Sequence, residues 1–284
     1  MNYANRTKLQ RRENPIDLEL KGKKALITGG SRGLGRAAAM ALAGEGCDIA
    51  IVARTQETLD KTAAELRETG VRVIAIKADV TDPDDIRRMM AEGSAGLGGL
   101  DILIANAGGQ MGGELLESTD EDWQFTLDIN LLHAVRSIRA ITPFFKDRGG
   151  GSIVVVSSVT GAVASVPAQY GAAKAAELYL ASALAMELAQ FNVRINAIAP
   201  GSIMFEGGGW ARRLEEQPEA MADFANRQFP FKRLGRADEI GDVIAFLVSA
   251  RASWITGATI PVDGAQVNPG LFSPADLPGP EGTD

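Results

Sequence analysis

Short apolar runs alternate with longer mixed stretches along most of the chain. We predict strands at seven of these runs, namely 24–29, 49–53, 72–77, 101–105, 152–157, 193–198 and 258–262. The intervening segments have the length of helices, and strands that alternate with helices indicate a parallel sheet covered on both faces. The pattern therefore predicts a single α/β domain with a Rossmann-type, doubly wound sheet. Such sheets bind their ligands at the carboxyl ends of the strands.

The same pattern divides the chain into a domain and two extensions. We expect the domain over residues 22–266, after an N-terminal extension of residues 1–21 and before a proline-rich tail of residues 267–284. Within the domain, the stretch 202–231 follows the sixth strand and has no strong strand pattern of its own, and the run Gly207–Gly209 could act as a hinge in it.

A glycine-rich turn follows the first predicted strand. Between this strand and an alanine-rich helical stretch, the segment TGGSRGLG contains Gly29, Ser31, Arg32, Gly33, Leu34 and Gly35. Glycines allow a tight turn and let the backbone approach a pyrophosphate, whose charge rests at the N-terminus of the next helix. The spacing Gly-x3-Gly-x-Gly meets the usual dinucleotide pattern only approximately. The turn therefore predicts a dinucleotide site only when other evidence for redox chemistry joins it.

A tyrosine and a lysine provide that evidence. Tyr170 and Lys174 lie four residues apart in an alanine-rich helical segment, so their side chains project from the same helix face. A neighbouring ammonium favours the phenolate and lowers the pKa of a tyrosine from its ordinary value of about 10. A phenol tuned in this way exchanges a proton with an alcohol or carbonyl oxygen near neutral pH. With Ser157 and Ser158 upstream, the set predicts a redox enzyme that acts on C–O bonds.

Composition and charge exclude several classes of function. The net charge of -7 argues against nucleic acid or an anionic membrane surface as a partner. No apolar run reaches the length of a membrane span. The single cysteine, Cys47, cannot form an internal disulfide and favours a reducing compartment, which we take to be the cytoplasm. The lone His133 leaves no histidine cluster for a metal, and we expect none.

Eight short motifs occur in the order typical of the short-chain dehydrogenase/reductase family. They are TGGSRGLG (28–35), ADVTD (78–82), IANAG (104–108), DIN (128–130), SSVTG (157–161), YGAAK (170–174), APG (199–201) and TGATIPVDGA (256–265). With these motifs the chain resembles the single-domain branch of that family over roughly residues 18–266, and within it the 3-oxoacyl-thioester reductases. The resemblance implies an NAD(P)-dependent oxidoreductase that moves hydride between nicotinamide and a small-molecule carbonyl or secondary alcohol.

The resemblance also implies roles for individual residues. Tyr170 would be the general acid and base, and Lys174 would bind the nicotinamide ribose while holding Tyr170 in its reactive state. Asn130 resembles the asparagine that bends its helix and anchors a proton-relay water. Asp79, with Val80 beside it, resembles the aspartate that meets the adenine ring. Further cofactor contacts are implied for Asn106, Ala107, Gly108, Pro200 and Gly201.

The serine of the site has two candidates. Members of the family use a serine at the end of the fifth strand to hydrogen-bond the substrate oxygen and stabilise its developing negative charge. Ser158 fits the V-x-G turn that follows such a serine, whereas Ser157 has the commoner spacing to the tyrosine. We favour Ser158, because the loop between serine and tyrosine changes length more easily than a strand end changes shape.

The charge at the end of the second strand bears on the choice of cofactor. Enzymes that prefer NAD present an acid there, which binds both hydroxyls of the adenosine ribose. This chain has Arg54 at that position and Arg32 in the glycine-rich turn. Two guanidinium groups suit a 2'-phosphate, so NADP(H) is the preferred cofactor. The alternative is that Arg54 stacks on the adenine, which permits NAD(H) as well.

The stretch 202–231 lies where members of the family carry a substrate lid, so the resemblance implies a lid there, and it is rich in large apolar side chains. They either line a substrate pocket or form a small core under the lid, and they are Met204, Phe205, Trp210, Phe224, Phe229 and Phe231. Several 3-oxoacyl-thioester reductases carry a basic residue before the sixth strand to dock an acidic carrier protein, and Phe191 stands near that place here. The sequence therefore does not favour a carrier-bound substrate over a free ketone, a sugar-derived carbonyl or a secondary alcohol.

Two alternatives to this function remain at the level of sequence. One is a free ketone or sugar-type alcohol dehydrogenase that uses NAD. The other is a non-catalytic dinucleotide-binding regulator, although a binder has no need of a tuned phenol. The helical stretches 123–145 and 168–190 match the surfaces by which family members form tetramers. We therefore expect a homotetramer, with a dimer as the alternative.

Overall fold

The computed structural model describes residues 16–267, so residues 1–15 of the predicted N-terminal extension and residues 268–284 of the predicted tail lie outside the described residues. Its strands are β1 (Lys24–Thr28), β2 (Asp48–Ala53), β3 (Val73–Lys77), β4 (Ile102–Ala105), β5 (Gly151–Val156), β6 (Val193–Pro200), β7 (Ile203–Met204), β8 (Gly235–Arg236) and β9 (Thr259–Val262). Its helices are α1 (Gly33–Gly44), α2 (Gln56–Arg67), α3 (Pro83–Leu97), α4 (Asp120–Leu127), α5 (His133–Asp147), α6 (Ala168–Leu188), α7 (Gly209–Glu216), α8 (Pro218–Gln228) and α9 (Ala237–Val248).

A parallel sheet of seven strands forms the centre of the molecule, in the order β3-β2-β1-β4-β5-β6-β9. The predicted Rossmann-type sheet is confirmed, and each predicted strand is found with its boundaries within two residues. The order reverses at β1, because β2 and β3 extend the sheet to one side while β4 begins the other side. A crevice opens at such a reversal, beyond the carboxyl ends of the strands.

Helices cover both faces of the sheet and bury it. One core packs α3, α5 and α6 against the sheet, and a second core packs α1, α2 and α9 against the opposite face. Strand β2 is typical of the result, since Ile49, Ala50, Ile51 and Val52 are all fully buried. Parallel strands covered on both faces lose the alternation of apolar and polar positions and become continuous apolar runs. Each fully buried isoleucine contributes about 2 kcal/mol to folding.

Helix ends near the crevice are set by local sequence. Helix α3 begins where the Asp82 carboxylate accepts from the backbone N–H of Asp84, with Pro83 in the first turn. Helix α4 begins with a capping box between Thr119 and Asp122. It then runs through a π-helical segment (Asp128–Leu132) into α5; the resemblance implied a bend at Asn130, but not this wider turn.

The predicted lid folds into two short helices above the crevice. Helices α7 and α8 follow the two-residue strand β7, which pairs with β8 outside the main sheet. Under them lies a separate small core built around Met221, Ala225, Phe229 and Leu234. The lid therefore has apolar packing of its own.

Candidate active site

The glycine-rich turn is locked against the end of β4. Gly29 has a φ of +64°, and a Cβ atom there would lie 2.9 Å from Nδ2 of Asn106, so only glycine fits. The Asn106 amide donates to the backbone carbonyls of Thr28 and Gly29 at 2.9 and 3.2 Å. Gly35, on the first turn of α1, packs directly on the carbonyl of Gly29. Asn106 thus shapes the turn, and its side-chain amide N–H groups are used in hydrogen bonds to the backbone of that turn.

A buried threonine and histidine join this turn to the next strand end. The Thr28 hydroxyl oxygen accepts from the backbone N–H groups of Asn106 and Ala107 and lies 3.1 Å from Nε2 of His133. Burial lowers the pKa of His133 to about 4, so the ring is neutral at physiological pH. Its Nδ1 lies 2.9 Å from the backbone carbonyl of Asn130, which can only accept. The neutral ring therefore donates to Asn130 from Nδ1.

Asn130 sits inside the π-helical segment and tethers the loop that follows β4. The side chain is fully buried, and its Nδ2 donates to the carbonyls of Gly109 and Thr126 at 2.6 and 2.7 Å. Its Oδ1 accepts from the Gly109 N–H at 3.3 Å. A Cβ atom on Gly108 would lie 2.7 Å from this Oδ1, which makes glycine necessary there. The amide is thus a structural clamp behind the crevice.

Tyr170 and Lys174 meet at the end of β5. The Lys174 ammonium lies 5.7 Å from the centre of the Tyr170 ring, one helical turn away on α6. It donates to the carbonyl of Val156 at 3.1 Å and to both carboxylate oxygens of Glu177 at 3.1 and 3.0 Å. The structure therefore brings the predicted pair together and adds a buried carboxylate that the sequence did not single out.

The two candidate serines differ in their hydrogen bonds. Ser157 is buried in the wall of the crevice, and its hydroxyl donates to the backbone carbonyl of Lys174 at 2.8 Å. Ser158 begins the short 3-10 turn, where its oxygen accepts from the N–H and the hydroxyl of Thr160 at 3.2 and 3.0 Å. The proton of Ser157 is thus donated to the Lys174 carbonyl, whereas the hydroxyls of Ser158 and Thr160 can each donate to the other.

A cavity of about 540 Å³ joins these groups into one crevice. Of the residues predicted for the cofactor and for catalysis, its wall contains Gly29, Ser31, Arg32, Gly33, Leu34, Arg54, Asp79, Val80, Asn106, Ala107, Gly108, Tyr170 and Lys174. Predicted site residues that lie outside the wall are Gly35, Asn130, Ser158, Pro200, Gly201, Met204 and Trp210. Gly35 and Asn130 lie directly behind it, whereas Pro200 and Gly201 belong to the end of β6 and its turn.

Three exposed arginines face one carboxylate across this cavity. Arg32, Arg54 and Arg212 all line it, and none of the three has an ion-pair partner among the described residues. Asp79 lines the same wall and accepts from the N–H and hydroxyl of Thr81 at 2.9 and 2.8 Å. In a chain of net charge -7, the crevice is therefore positively charged. Arg212 lies on α7 and had no place in the sequence expectation.

The apolar side chains of the lid divide between two places. Phe205 lies in the wall, and a Cβ atom on Gly33 would touch its ring at 3.1 Å. Met204 and Trp210 pack instead on the small core of the lid, where Trp210 stacks on Phe224 with ring centres 5.1 Å apart. For most of these side chains the structure therefore matches the small-core interpretation, and Phe205 is the exception among the substrate candidates.

The residues present fit a dinucleotide. The glycine turn offers backbone N–H groups and the N-terminus of α1 to a pyrophosphate, and there is no space for side chains at Gly29 or Gly108. Arginines at one end suit phosphate, and Tyr170 with Lys174 stands at the other end. Within residues 16–267 no group of three or more His, Cys, Asp or Glu side chains is placed to hold a metal ion. The same part of the chain contains no helix with the length and hydropathy that a membrane crossing requires.

Proteins of similar sequence are oxidoreductases of one family. The family model described as Enoyl-(Acyl carrier protein) reductase matches residues 29–265. The chain is 36% identical over 260 residues to Dehydrogenase/reductase SDR family member 4 of Bos taurus, covering 90% of each chain. It is 35% identical over 248 residues to the 3-oxoacyl-(acyl-carrier-protein) reductase FabG of Staphylococcus aureus strain Mu50, covering 85% of this chain and 97% of that one.

Solved structures give the same answer for the fold. L-sorbose reductase from Gluconobacter frateurii, complexed with NADPH and L-sorbose, superimposes with a TM-score of 0.83 at 33% identity, over 89% of this chain and 99% of the other. A 7α-hydroxysteroid dehydrogenase complexed with NADH and 7-oxo glycochenodeoxycholic acid superimposes with a TM-score of 0.82 at 26% identity, over 88% and 96% of the two chains.

Fold, crevice and tyrosine-lysine pair together define a dinucleotide-dependent oxidoreductase. The matches extend over nearly the whole domain and include relatives above one-third identity. The chain belongs to the short-chain dehydrogenase/reductase family of NAD(P)-dependent oxidoreductases, and the family expected from the eight motifs is thereby confirmed.

Proposed function

We propose that this protein is an NADPH-preferring oxidoreductase that interconverts a small-molecule carbonyl and its secondary alcohol. The observation that carries the proposal is the placement of Tyr170 and Lys174 in the wall of the cavity that also contains the glycine-rich turn. The bound nicotinamide supplies the hydride in reduction and accepts it in oxidation. The side chains described above would bind the substrate, orient it and transfer a proton.

Tyr170 is the proton donor in reduction and the proton acceptor in oxidation. In reduction its hydroxyl gives a proton to the substrate oxygen as the carbonyl carbon receives hydride, and the phenolate then regains a proton from solvent. Lys174 stabilises that phenolate with its positive charge, 5.7 Å from the ring centre. Asn130 holds the loop and helix on which the relay to solvent depends.

Ser158 is the residue that we propose to bind the substrate oxygen. Its oxygen accepts from the Thr160 N–H at 3.2 Å and lies 3.0 Å from the Thr160 hydroxyl, which fixes its place at the start of the turn, and its O–H group would donate to a bound carbonyl oxygen. A donor held in this way stabilises the negative charge that develops on the carbonyl oxygen. The Ser157 hydroxyl is bound to the carbonyl of Lys174 and supports the helix instead.

The preference for NADPH rests on charge at the adenosine end of the crevice. Arg32 and Arg54 line the cavity there, without ion-pair partners among the described residues, and Asp79 is held by Thr81. A 2'-phosphate would find two guanidinium groups, whereas the ribose hydroxyls of NADH would find no acid at the end of β2. A relative crystallised with NADPH and another crystallised with NADH are both consistent with binding of either cofactor.

The substrate belongs to one of two classes. Similarity to a 3-oxoacyl-(acyl-carrier-protein) reductase favours a 3-oxoacyl thioester, and similarity to the L-sorbose reductase structure favours a free ketone or sugar-derived carbonyl. Phe191 replaces the basic residue expected for a carrier protein, but the Lys146 ammonium stands 3.6 Å above its ring and restores a positive charge at that place. We therefore keep the thioester as the first candidate and the free ketone as the second.

We propose a homotetramer in the cytoplasm as the working form. Tyr179 and Met186 lie seven residues apart on α6 and are 78% and 84% exposed, which leaves an apolar stripe on the helix available for a second copy. Cys47 is buried and burial raises the pKa of its thiol to about 12, as suits a reducing compartment in which no disulfide is needed.

The proposal is tested by turnover with NADPH, and separately with NADH, on a panel of ketones, 3-oxoacyl thioesters and sugar-derived carbonyls. Tyr170→Phe is the matched control, since it removes one hydroxyl from the proposed acid. We expect the variant to lose turnover by about 10²- to 10⁴-fold on any active substrate while keeping its affinity for NADPH. Undiminished turnover in Tyr170→Phe would contradict the mechanism, and tight cofactor binding without turnover on the whole panel would favour the regulator.

A further inference from the structure

Glu177 is a buried carboxylate that the proposed reaction has not yet used. Its side chain is 1% exposed and lies on α6, three residues after Lys174, whose side chain is 3% exposed. Both carboxylate oxygens lie within 3.1 Å of the Lys174 ammonium. Buried ion pairs are costly to form, and they persist where each charge has a partner.

The ion pair determines how many N–H groups of Lys174 remain to donate hydrogen bonds into the crevice. An ammonium has three N–H groups, and here the carbonyl of Val156 takes one and the carboxylate of Glu177 takes at least one more. At most one N–H is left to point towards the cavity that Lys174 lines. Glu177 therefore aims the ammonium as well as balancing its charge.

Among residues 16–267, no carboxylate other than Glu177 pairs with the Lys174 ammonium. His133 on α5 is neutral, Asp128 on the π-helical segment is paired with Arg136 at 2.8 Å, and Asp122 on α4 caps its own helix. Strand β5 contributes the carbonyl of Val156, and Ser157 and Ser158, which follow the strand, contribute hydroxyls; all three groups are uncharged.

We infer that Glu177 is a positioning residue for the proposed reaction, on which this inference rests: it keeps the buried Lys174 protonated and aimed, and so extends proton transfer by Tyr170 to alkaline pH. Burial raises the pKa of Glu177 and the Lys174 charge opposes that rise, so each partner sustains the ionised form of the other. A buried ammonium without its counter-ion gives up its proton at a lower pH.

The substrate-free test follows the Lys174 ammonium by heteronuclear NMR. Its signal is assigned by its loss in Lys174→Met and titrated from about pH 6 to about pH 11, a range that brackets the ordinary lysine value. We expect Glu177→Gln to move this titration to lower pH by at least about one unit. Glu187→Gln is the matched control, because it makes the same change on the exposed end of the same helix and is expected to leave the titration unchanged.

The second measurement is the pH–rate profile of reduction on an active substrate. We expect the alkaline limb of Glu177→Gln to move to lower pH, so that turnover near pH 9 relative to pH 7 falls about tenfold against the wild type. A merely structural role would lower turnover equally at every pH. Glu177→Asp keeps the charge and is expected to restore most of the alkaline limb, which also covers the case in which Glu177→Gln fails to fold.

The outcomes distinguish the inference about Glu177 from the proposed function of the protein. A Lys174 titration that is the same in the wild type and Glu177→Gln overturns the inference. A displaced titration in a protein that turns over no member of the substrate panel supports the inference about Lys174 while removing the proposed function. A displaced titration with an unmoved alkaline limb overturns the link between Glu177 and proton transfer.

Discussion

The two ends of the crevice present charge in opposite ways. At the nucleotide end, Arg32 and Arg54 are exposed and have no ion-pair partners among the described residues. At the chemical end, Lys174 is almost fully buried and its charge is already paired with Glu177. Both ends belong to one cavity, yet one has exposed cations and the other has a buried, hydrogen-bonded ion pair.

This difference follows from the tasks of the two ends. A phosphate arriving from water is captured by exposed guanidinium groups that keep their hydration until it binds. A proton transfer needs charge that is already desolvated and fixed, because reorganisation during the reaction would raise the barrier. Substitutions at the chemical end should therefore change turnover, and substitutions at the nucleotide end should change affinity for the cofactor.

Among substitutions of the two serines and the arginines, the largest effect is expected at Ser158, which we propose to bind the substrate oxygen. Ser158→Ala removes a fixed donor and should lower kcat by about 10²- to 10³-fold while leaving NADPH affinity unchanged. Ser157→Ala is the matched control and should cost about tenfold at most, since it removes one hydrogen bond to the Lys174 carbonyl. Steady-state kinetics with fluorescence titration of NADPH measures both. The opposite ranking of the two variants would assign the role to Ser157.

A smaller effect is expected from the lid arginine. Arg212→Gln should weaken NADPH binding about threefold, and less at high salt, because an exposed cation contributes modestly to anion binding. Arg213→Gln is the control on the neighbouring position, where the guanidinium lies 5.0 Å from the ring centre of Trp210 and outside the cavity wall. Dissociation constants for both variants check the difference. Equal weakening by both would indicate that the net charge of the lid matters rather than the place of Arg212.

Much of the fold and part of the site could be predicted from the sequence. The buried strands appear as apolar runs because both faces of the sheet are covered. Tyr170 and Lys174 could be paired because a spacing of four residues on a helix fixes a common face. The start of α3 also has a local cause in the sequence, because the Asp82 carboxylate caps the helix and Pro83 occupies its first turn.

The remaining features depend on contacts between distant parts of the chain. Glu177 follows Lys174 by three residues in an otherwise apolar segment, which was a usable signal, but its burial is visible only once α6 packs on β5 and β6. Arg212 reaches the crevice because the lid helices pack on their own small core. The choice between Ser157 and Ser158 depends on what their hydroxyls contact, the Lys174 carbonyl for Ser157 and Thr160 for Ser158, and no spacing rule contains that information.

The division of tasks between the two ends is tested most directly by dissociation constants of NADPH and NADH for the wild type, Arg54→Gln and Tyr170→Phe. We expect Arg54→Gln to weaken NADPH binding about tenfold or more and to change NADH binding by less than about twofold, since a charged hydrogen bond to the 2'-phosphate is lost. Tyr170→Phe should change neither constant appreciably. Equal weakening of both cofactors by Arg54→Gln, or a loss of NADPH affinity in Tyr170→Phe as large as that in Arg54→Gln, would contradict the account.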